Sequence, residues 1–250
     1  MKRKKMNIIV KSTLIGCAFF IATIGGFFLF KNIKKVLDFG TKIELHKEKN
    51  KSDDQIDFNE LKKINNDIYA WIRIKGTNIN YPVLQAGKDK NTDFYLRKNI
   101  NCQYDVYGSI YSQNYQNTDL SDFMTILYGH DSTKGKMFGD LKKYVDKDFA
   151  KKHNIINIIT PTQKFKYKIF YVYENDSRLI PHPHGFFKED EEKQIYITNL
   201  KNAPAKEGIT NEYYYEDVTI DNNSKLLLLS TCTKSGRRRF IVEAIRINDK

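Results

Sequence analysis

The sequence predicts a mainly β fold whose short strands close, or nearly close, into a barrel. Three observations lead there. From Tyr69 onward, β-rich runs recur with mostly turn-length spacing between them. Only two longer interruptions, 142–153 and 175–215, carry helical patterning, too few for an alternating parallel α/β sheet. The extremes of charge and hydropathy are gathered ahead of this pattern, in the first 35 residues.

Those residues explain most of a net charge of +12 over 250 residues. Lys2, Arg3, Lys4, Lys5, Lys11, Lys31, Lys34 and Lys35 all precede Asp38, the first acidic residue, which leaves +4 for the rest. So small an excess gives no reason to invoke nucleic acid as a partner. Ser12–Phe30 is free of charge, mostly apolar and flanked by basic clusters, close to the roughly 20 residues that cross a bilayer core. A cleaved signal peptide fits less well, because the apolar region is long and no A-x-A site precedes Lys31. With five basic residues before the run and three after it, the positive-inside rule puts the N terminus in the cytoplasm. The expected organisation is a cytoplasmic tail at 1–11, a single-pass signal anchor in the cell membrane at 12–30, a charged stalk at 31–56 and an extracellular domain at 57–250.

Within the domain, Asp57 and Glu60 have capping-box spacing for a short helix containing Leu61 and Ile64. Residues 70–74 and 79–84 read as two strands around Lys75-Gly76-Thr77-Asn78. Further strands are expected at 107–112, 124–129, 154–160, 165–174, 216–220, 225–231 and 239–247. Lys142–His153 reads as a short helical crossover. The segment 175–215 is long for a loop, and the spacing of Ile195, Tyr196, Ile197 and Leu200 allows a helix within Phe187–Leu200.

The chemistry-bearing residues lie at strand ends. The apolar run Leu226-Leu227-Leu228-Leu229-Ser230-Thr231 delivers Cys232, and a polar turn containing Gly236 leads to Arg237, Arg238 and Arg239. Nearby cations favour the thiolate, the reactive form of cysteine. Met124-Thr125-Ile126-Leu127-Tyr128-Gly129 repeats the layout and leads to His130. Cysteine, histidine and arginine suffice for acyl transfer. Strand alternation separates the arginines. Phe240, Val242 and Ala244 share the core parity with Arg238, whose charge would then need a partner. Arg239 has the opposite parity, and a turn through 233–238 returns it beside Cys232; Arg237 stays in the turn as a solvated charge. Cys17 falls in the apolar span and Cys102 in a polar loop, so the cysteines form no disulfide framework. Asp131 points away from the face of its neighbour His130, and His182 with His184 lacks the further ligands zinc needs, so no metal or cofactor is called for.

Taken together, Tyr128-Gly129-His130, Leu229-Ser230-Thr231-Cys232 and Arg239 resemble a sortase. The run from Trp71 to Gln85, then Tyr95-Leu96 and Gly108-Ser109-Ile110-Tyr111, is similar to the class B branch, and the resemblance extends from about Phe58 to Arg246. It implies a closed sortase-type β-barrel of about eight strands, with N-terminal helices and a helix in the long loop before the cysteine strand. It also implies transpeptidation, in which the C-terminal sorting signal of a secreted protein is cleaved through a thioester on Cys232 and the new carboxyl end is joined to an amine of a lipid-linked peptidoglycan precursor. His130 and Arg239 complete the catalytic set, and Leu96, Tyr128, Ser230 and Thr231 are expected to line the peptide groove. Leu228 stands where the family commonly has threonine, and residues 175–215 match poorly. Two other readings stay open: a pilus-building sortase whose acceptor is a subunit lysine, and a non-catalytic membrane-tethered binding module. A papain-like hydrolase is disfavoured, because there the cysteine precedes the histidine.

Overall fold

The computed structural model describes residues 56–132, 135–176, 187–201, 209–232 and 238–247, all within one compact unit, Gln55–Lys250. The tail, the apolar stretch Ser12–Phe30, the stalk up to residue 55, and His182 with His184 lie outside the described residues. Among the described residues no helix is long and apolar enough to cross a membrane.

At the start of the domain the Asp57 carboxylate accepts from the Glu60 backbone N–H at 3.1 Å and caps helix α1, Phe58–Ile64, which buries Phe58 and Leu61. The Glu60 side chain meets Lys63 Nζ at 2.6 Å. Strands β1 (Ile68–Ile74), β2 (Asn80–Gln85), β3 (Ile110–Ser112) and β4 (Met124–Tyr128) follow. A 3₁₀ turn at Gly139–Val145 and helix α2, Lys147–Lys152, make the expected crossover to β5, Ile155–Ile159. Then come β6 (Lys164–Asp176), helix α3 (Asp190–Lys201), β7 (Ile209–Tyr215), β8 (Leu226–Cys232) and β9 (Arg238–Ile247).

The barrel closes through β6. The strand order runs β5-β1-β2-β3-β4-β8-β9-β6, and β6 pairs back onto β5, giving eight strands in a closed ring. β6 is 13 residues long, and β9 follows it from Lys166 to Asp176. The other edge is shared end to end, by β5 along Lys164–Lys168 and by β7 along Tyr171–Asn175. Every barrel strand sends side chains to the interior cluster, among them Ile72, Val83, Ile110, Leu127, Ile158, Val172, Leu227, Leu229 and Val242. A second cluster lies on the outer face, where Met124, Ile126, Leu226, Leu228 and Ile241 pack with Tyr196, Ile197 and Leu200 of α3. Leu226–Leu229 is thus buried on both faces, which is why its sequence is uniformly apolar instead of alternating.

Two expectations need correction. Residues 216–220 form no strand: Val218 and Ile220 pack on the outer cluster without pairing, and the strand is β7, inside the segment read as loop. Its run Tyr213-Tyr214-Tyr215 carries no period-2 hydropathy, so pattern reading missed it. The strand expected at 107–112 begins only at Ile110, because Gly108 adopts φ +57°, outside the β region. The helix allowed within Phe187–Leu200 is α3, which buries Tyr196, Ile197 and Leu200 and leaves Ile195 56% exposed.

These placements predict opposite stability effects for two apolar residues. Leu229→Ala, in the interior, should lower the unfolding free energy by about 2–5 kcal/mol, whereas Ile195→Lys should change it by no more than about 0.5 kcal/mol. Urea denaturation followed by the fluorescence of Trp71, the only tryptophan of the chain, measures both.

Candidate active site

Parity and register decide what meets at the ends of β8 and β9. In their antiparallel pairing Ser230 is level with Ile241, Thr231 with Phe240 and Cys232 with Arg239. Strand β4 runs parallel along the other edge of β8, Tyr128 level with Ser230, and the Gly129 N–H donates to the Ser230 carbonyl at 3.2 Å. His130 follows two residues beyond that last pair, just past the end of β4. On the far side of β9, Asn175 of β6 is level with Arg239. A single row therefore crosses β8, β9 and β6 as Cys232, Arg239 and Asn175, with His130 just beyond the end of β4.

His130 is half-buried and held from two sides. Its Nε2–H donates to the Leu96 carbonyl at 2.8 Å, and its own carbonyl accepts from Phe138 N at 3.0 Å. Leu96 belongs to a 3₁₀ turn, Phe94–Arg97, tied down by Ser109, whose N–H donates to Tyr95 O at 3.1 Å and whose hydroxyl donates to Lys98 O at 2.9 Å. The neighbouring Gly108 has to be glycine, since a Cβ there would fall 2.3 Å from the Leu96 oxygen. Burial lowers the His130 pKa below its ordinary value of 6.5; the charges of Arg97 and Arg239 add to this, while the Leu96 bond and Asp105 oppose it. Tyr128 stacks on Tyr111 with ring centroids 5.6 Å apart, and the Tyr111 hydroxyl donates to Asp93 at 2.9 Å. Burial raises the pKa of both phenols, and the positive charge of Arg239 acts against that rise at each.

A family model for the sortase domain matches residues 72–247. The chain belongs to the sortase family. Its likeness is to class B: it is 32% identical over 174 residues to Listeria monocytogenes sortase B, a match covering 69% of this chain and 65% of that protein. The chain thus spans just under two thirds of that relative's length. The Staphylococcus aureus sortase B–substrate complex superposes with a TM-score of 0.66 at 28% identity, covering 77% of this chain and 85% of the other. A Streptococcus pyogenes class B sortase involved in pilus biogenesis gives 0.62 at 27% identity, covering 77% and 98%. The eight-stranded closed barrel with a helix ahead of the cysteine strand is the fold of this class.

In this sortase the remaining expected groove residues are distributed over both faces of the barrel wall. Leu96, 36% exposed, lines an open hollow of about 350 Å³ together with Asn91, Asp93, Phe94, Arg97, Lys98 and Tyr104. Tyr128 and Ser230 have the outer-face parity of Leu228, whereas Thr231 shares the inner parity of Leu227 and Leu229. Ser230 and Thr231 are each 1% exposed, and their hydroxyls have no hydrogen-bond partner among the described residues. Arg238 has the inward parity that demanded a partner; β9 does begin there, and its guanidinium lies 3.7 Å from Glu174 with half of the side chain exposed. Arg237 lies outside the described residues. Asp131 pairs with Lys142. Among the described residues, no group of three or more His, Cys, Asp and Glu side chains is arranged to hold a metal ion. Tyr111, stacked on Tyr128, and Asn175, level with Arg239, were not singled out by sequence reasoning. Alternation along β6 could have flagged Asn175, had the strand been extended one residue past 174.

The lowered His130 pKa carries a signed consequence. The folded state binds this proton less readily than the unfolded chain, so the stabilisation is full above pH about 6.5 and is lost as the pH falls through the folded-state value. By NMR the His130 imidazole should titrate below 6.5, and Arg97→Gln, which removes a positive neighbour, should move that titration upward. A native titration at or above 6.5 would contradict the assigned environment.

Proposed function

We propose that this sortase is a membrane-anchored cysteine transpeptidase acting on C-terminal sorting signals of secreted proteins. The observation that carries the reading is the register of β8, which sets Cys232 level with Arg239 of β9 and Ser230 level with Tyr128 of β4, two residues before His130. The Cys232 thiolate attacks the scissile carbonyl, and the carbonyl π-electrons move onto oxygen. Arg239, level with Cys232, donates to that oxyanion or to the adjacent peptide carbonyl, and its charge favours the thiolate beforehand. His130 protonates the departing amine as the tetrahedral intermediate collapses to a thioester. Because Nε2–H is held by the Leu96 carbonyl, Nδ1 is the nitrogen that gives this proton and takes it back. An amine of a peptidoglycan precursor then attacks the thioester, His130 accepts the amine's proton, and Cys232 leaves as thiolate.

A lowered histidine pKa makes the imidazolium scarce at neutral pH, so the thiolate and imidazolium forms are best read as one coupled pair. Leu96 and Tyr128 flank the site, and the buried Ser230 hydroxyl lies on the same face as Tyr128, whereas Thr231 faces the barrel interior. Of the related proteins, the S. aureus sortase B structure holds a substrate, which supports peptide binding at this face. The S. pyogenes relative favours a second acceptor, the lysine of a pilus subunit. The apolar run 12–30 would serve as anchor and 31–56 as stalk, with the catalytic domain from 57 onward outside the cell.

Mass spectrometry of the protein incubated with a pool of sorting peptides and oligoglycine tests the reading. A thioester on Cys232 and an amine-capped product are expected, and Cys232→Ala should yield neither. Arg239→Lys should lower turnover by about a hundredfold or more, because a point charge does not reproduce the fork of donors. Near-normal turnover of Arg239→Lys would remove Arg239 from the mechanism.

A further inference from the structure

The turn that holds His130 is itself held, and the aspartate that does so has no part in the mechanism above. Asp93 stands at the N-cap position of the 3₁₀ turn Phe94–Arg97, where an aspartate ordinarily accepts from the first backbone N–H groups that follow it. Its side chain makes no such bond. It reaches instead to the end of β3, where Oδ1 accepts from the Tyr111 hydroxyl at 2.9 Å and from Gln113 Nε2 at 2.8 Å. The Gln113 amide is oriented for this by Tyr115, whose hydroxyl donates to its Oε1. Tyr111 is 3% exposed, and a phenol buried that deeply needs a partner for its hydroxyl.

These contacts close a circuit around the histidine. The Asp93 carbonyl accepts from the Leu96 N–H at 2.9 Å, and the Leu96 carbonyl accepts from His130 Nε2–H at 2.8 Å. In the other direction the Asp93 carboxylate holds Tyr111, whose ring stacks on Tyr128 with centroids 5.6 Å apart, and Tyr128 lies two residues before His130. Ser109 anchors the exit of the turn through Tyr95 and Lys98, and Asp93 anchors its entry.

We propose that Asp93 is a positioning residue for His130: by pinning the entry of the Phe94–Arg97 turn to Tyr111 and Gln113, it sets the Leu96 carbonyl where it holds the imidazole as the Nε2–H tautomer. Nδ1 is then the nitrogen that exchanges a proton with the amine. This rests on the reading in which His130 carries that proton, and it gives the carboxylate a geometric task instead of an electrostatic one.

Two substitutions separate geometry from charge. Asp93→Asn removes the charge and keeps an Oδ1 able to accept both bonds, whereas Asp93→Ala removes the charge and the bonds together. In the imidazole nitrogen NMR spectrum of neutral His130, the wild type and Asp93→Asn should show the Nε2–H tautomer, and Asp93→Ala should show a mixture with Nδ1–H. The Leu96 bond raises the His130 pKa, so its loosening in Asp93→Ala should move the titration further below 6.5. The charges felt most by His130 are those of Arg97, Arg239 and Asp105, so Asp93→Asn should titrate close to the wild type. In peptide transfer, kcat should fall about tenfold in Asp93→Ala and be largely kept in Asp93→Asn. Tyr111→Phe, which preserves the stack on Tyr128 and removes one donor, should shift the tautomer the same way by a smaller amount; it also serves if the alanine variant does not fold. A wild-type tautomer population in both Asp93→Ala and Tyr111→Phe, or an equal change in Asp93→Asn and Asp93→Ala, overturns the proposal. The NMR comparison needs no substrate. Absence of Cys232 acylation in the unsubstituted protein therefore counts against the transpeptidase reading and not against the Asp93–His130 coupling.

Discussion

Strand β6 has two edges and three partners, and the rest of the domain depends on how it divides itself between them. β9 takes one edge almost whole, while β5 and β7 share the other. Pairing with β5 closes the barrel, and pairing with β9 sets the height of Arg239 relative to Asn175 and, through β8, to Cys232 and His130. Side chains alternate with period two, so a slip of one residue anywhere in β4-β8-β9-β6 would send one of these residues to the other face of the wall. A bulge in β6 between Ile169 and Tyr171 shifts its register with β9 by one residue.

The outer face needs a cover, and helix α3 supplies it. The covering is partly polar: the Glu243 carboxylate, 1% exposed, accepts from the Tyr173 hydroxyl at 2.5 Å and from Tyr196 of the helix at 2.7 Å. Burial and this carboxylate hold both phenols protonated far beyond the ordinary range, so the two donors are permanent. Glu243 lies on β9 four residues from Arg239, and the helix is thereby tied to the strand that ends in the site. The groove side of the domain and its cover share one rigid element. On the other flank, His130 is fixed by a main-chain carbonyl instead of a carboxylate, which orients the ring and only partly offsets the lowering of its pKa by burial.

Much of this was legible residue by residue. The run Leu226–Leu229 announced a buried strand, the capping aspartate announced α1, and the parity of Phe240, Val242 and Ala244 sorted Arg239 from Arg238. What failed shares one cause. The segment 216–220 was read as a strand from apolar residue type, yet whether a valine or isoleucine there pairs or packs depends on which surface passes over it. β7 failed in the opposite sense, since a run of tyrosines has no two-residue contrast and becomes a strand only because the upper half of β6 offers it a free edge.

The amino-acid sequence by itself determined the cast: a cysteine, a histidine and an arginine at the ends of apolar runs, with each strand's parity set by its own alternation. Local sterics and hydropathy act over a few residues, and these features need no more. Which residues stand level with one another was decided only by tertiary structure. His130 and Cys232 are separated by about a hundred residues, and Asn175 and Arg239 by more than sixty, and nothing in either segment encodes the offset between them. That offset follows from closing the ring with every interior position filled, a condition imposed on all eight strands at once.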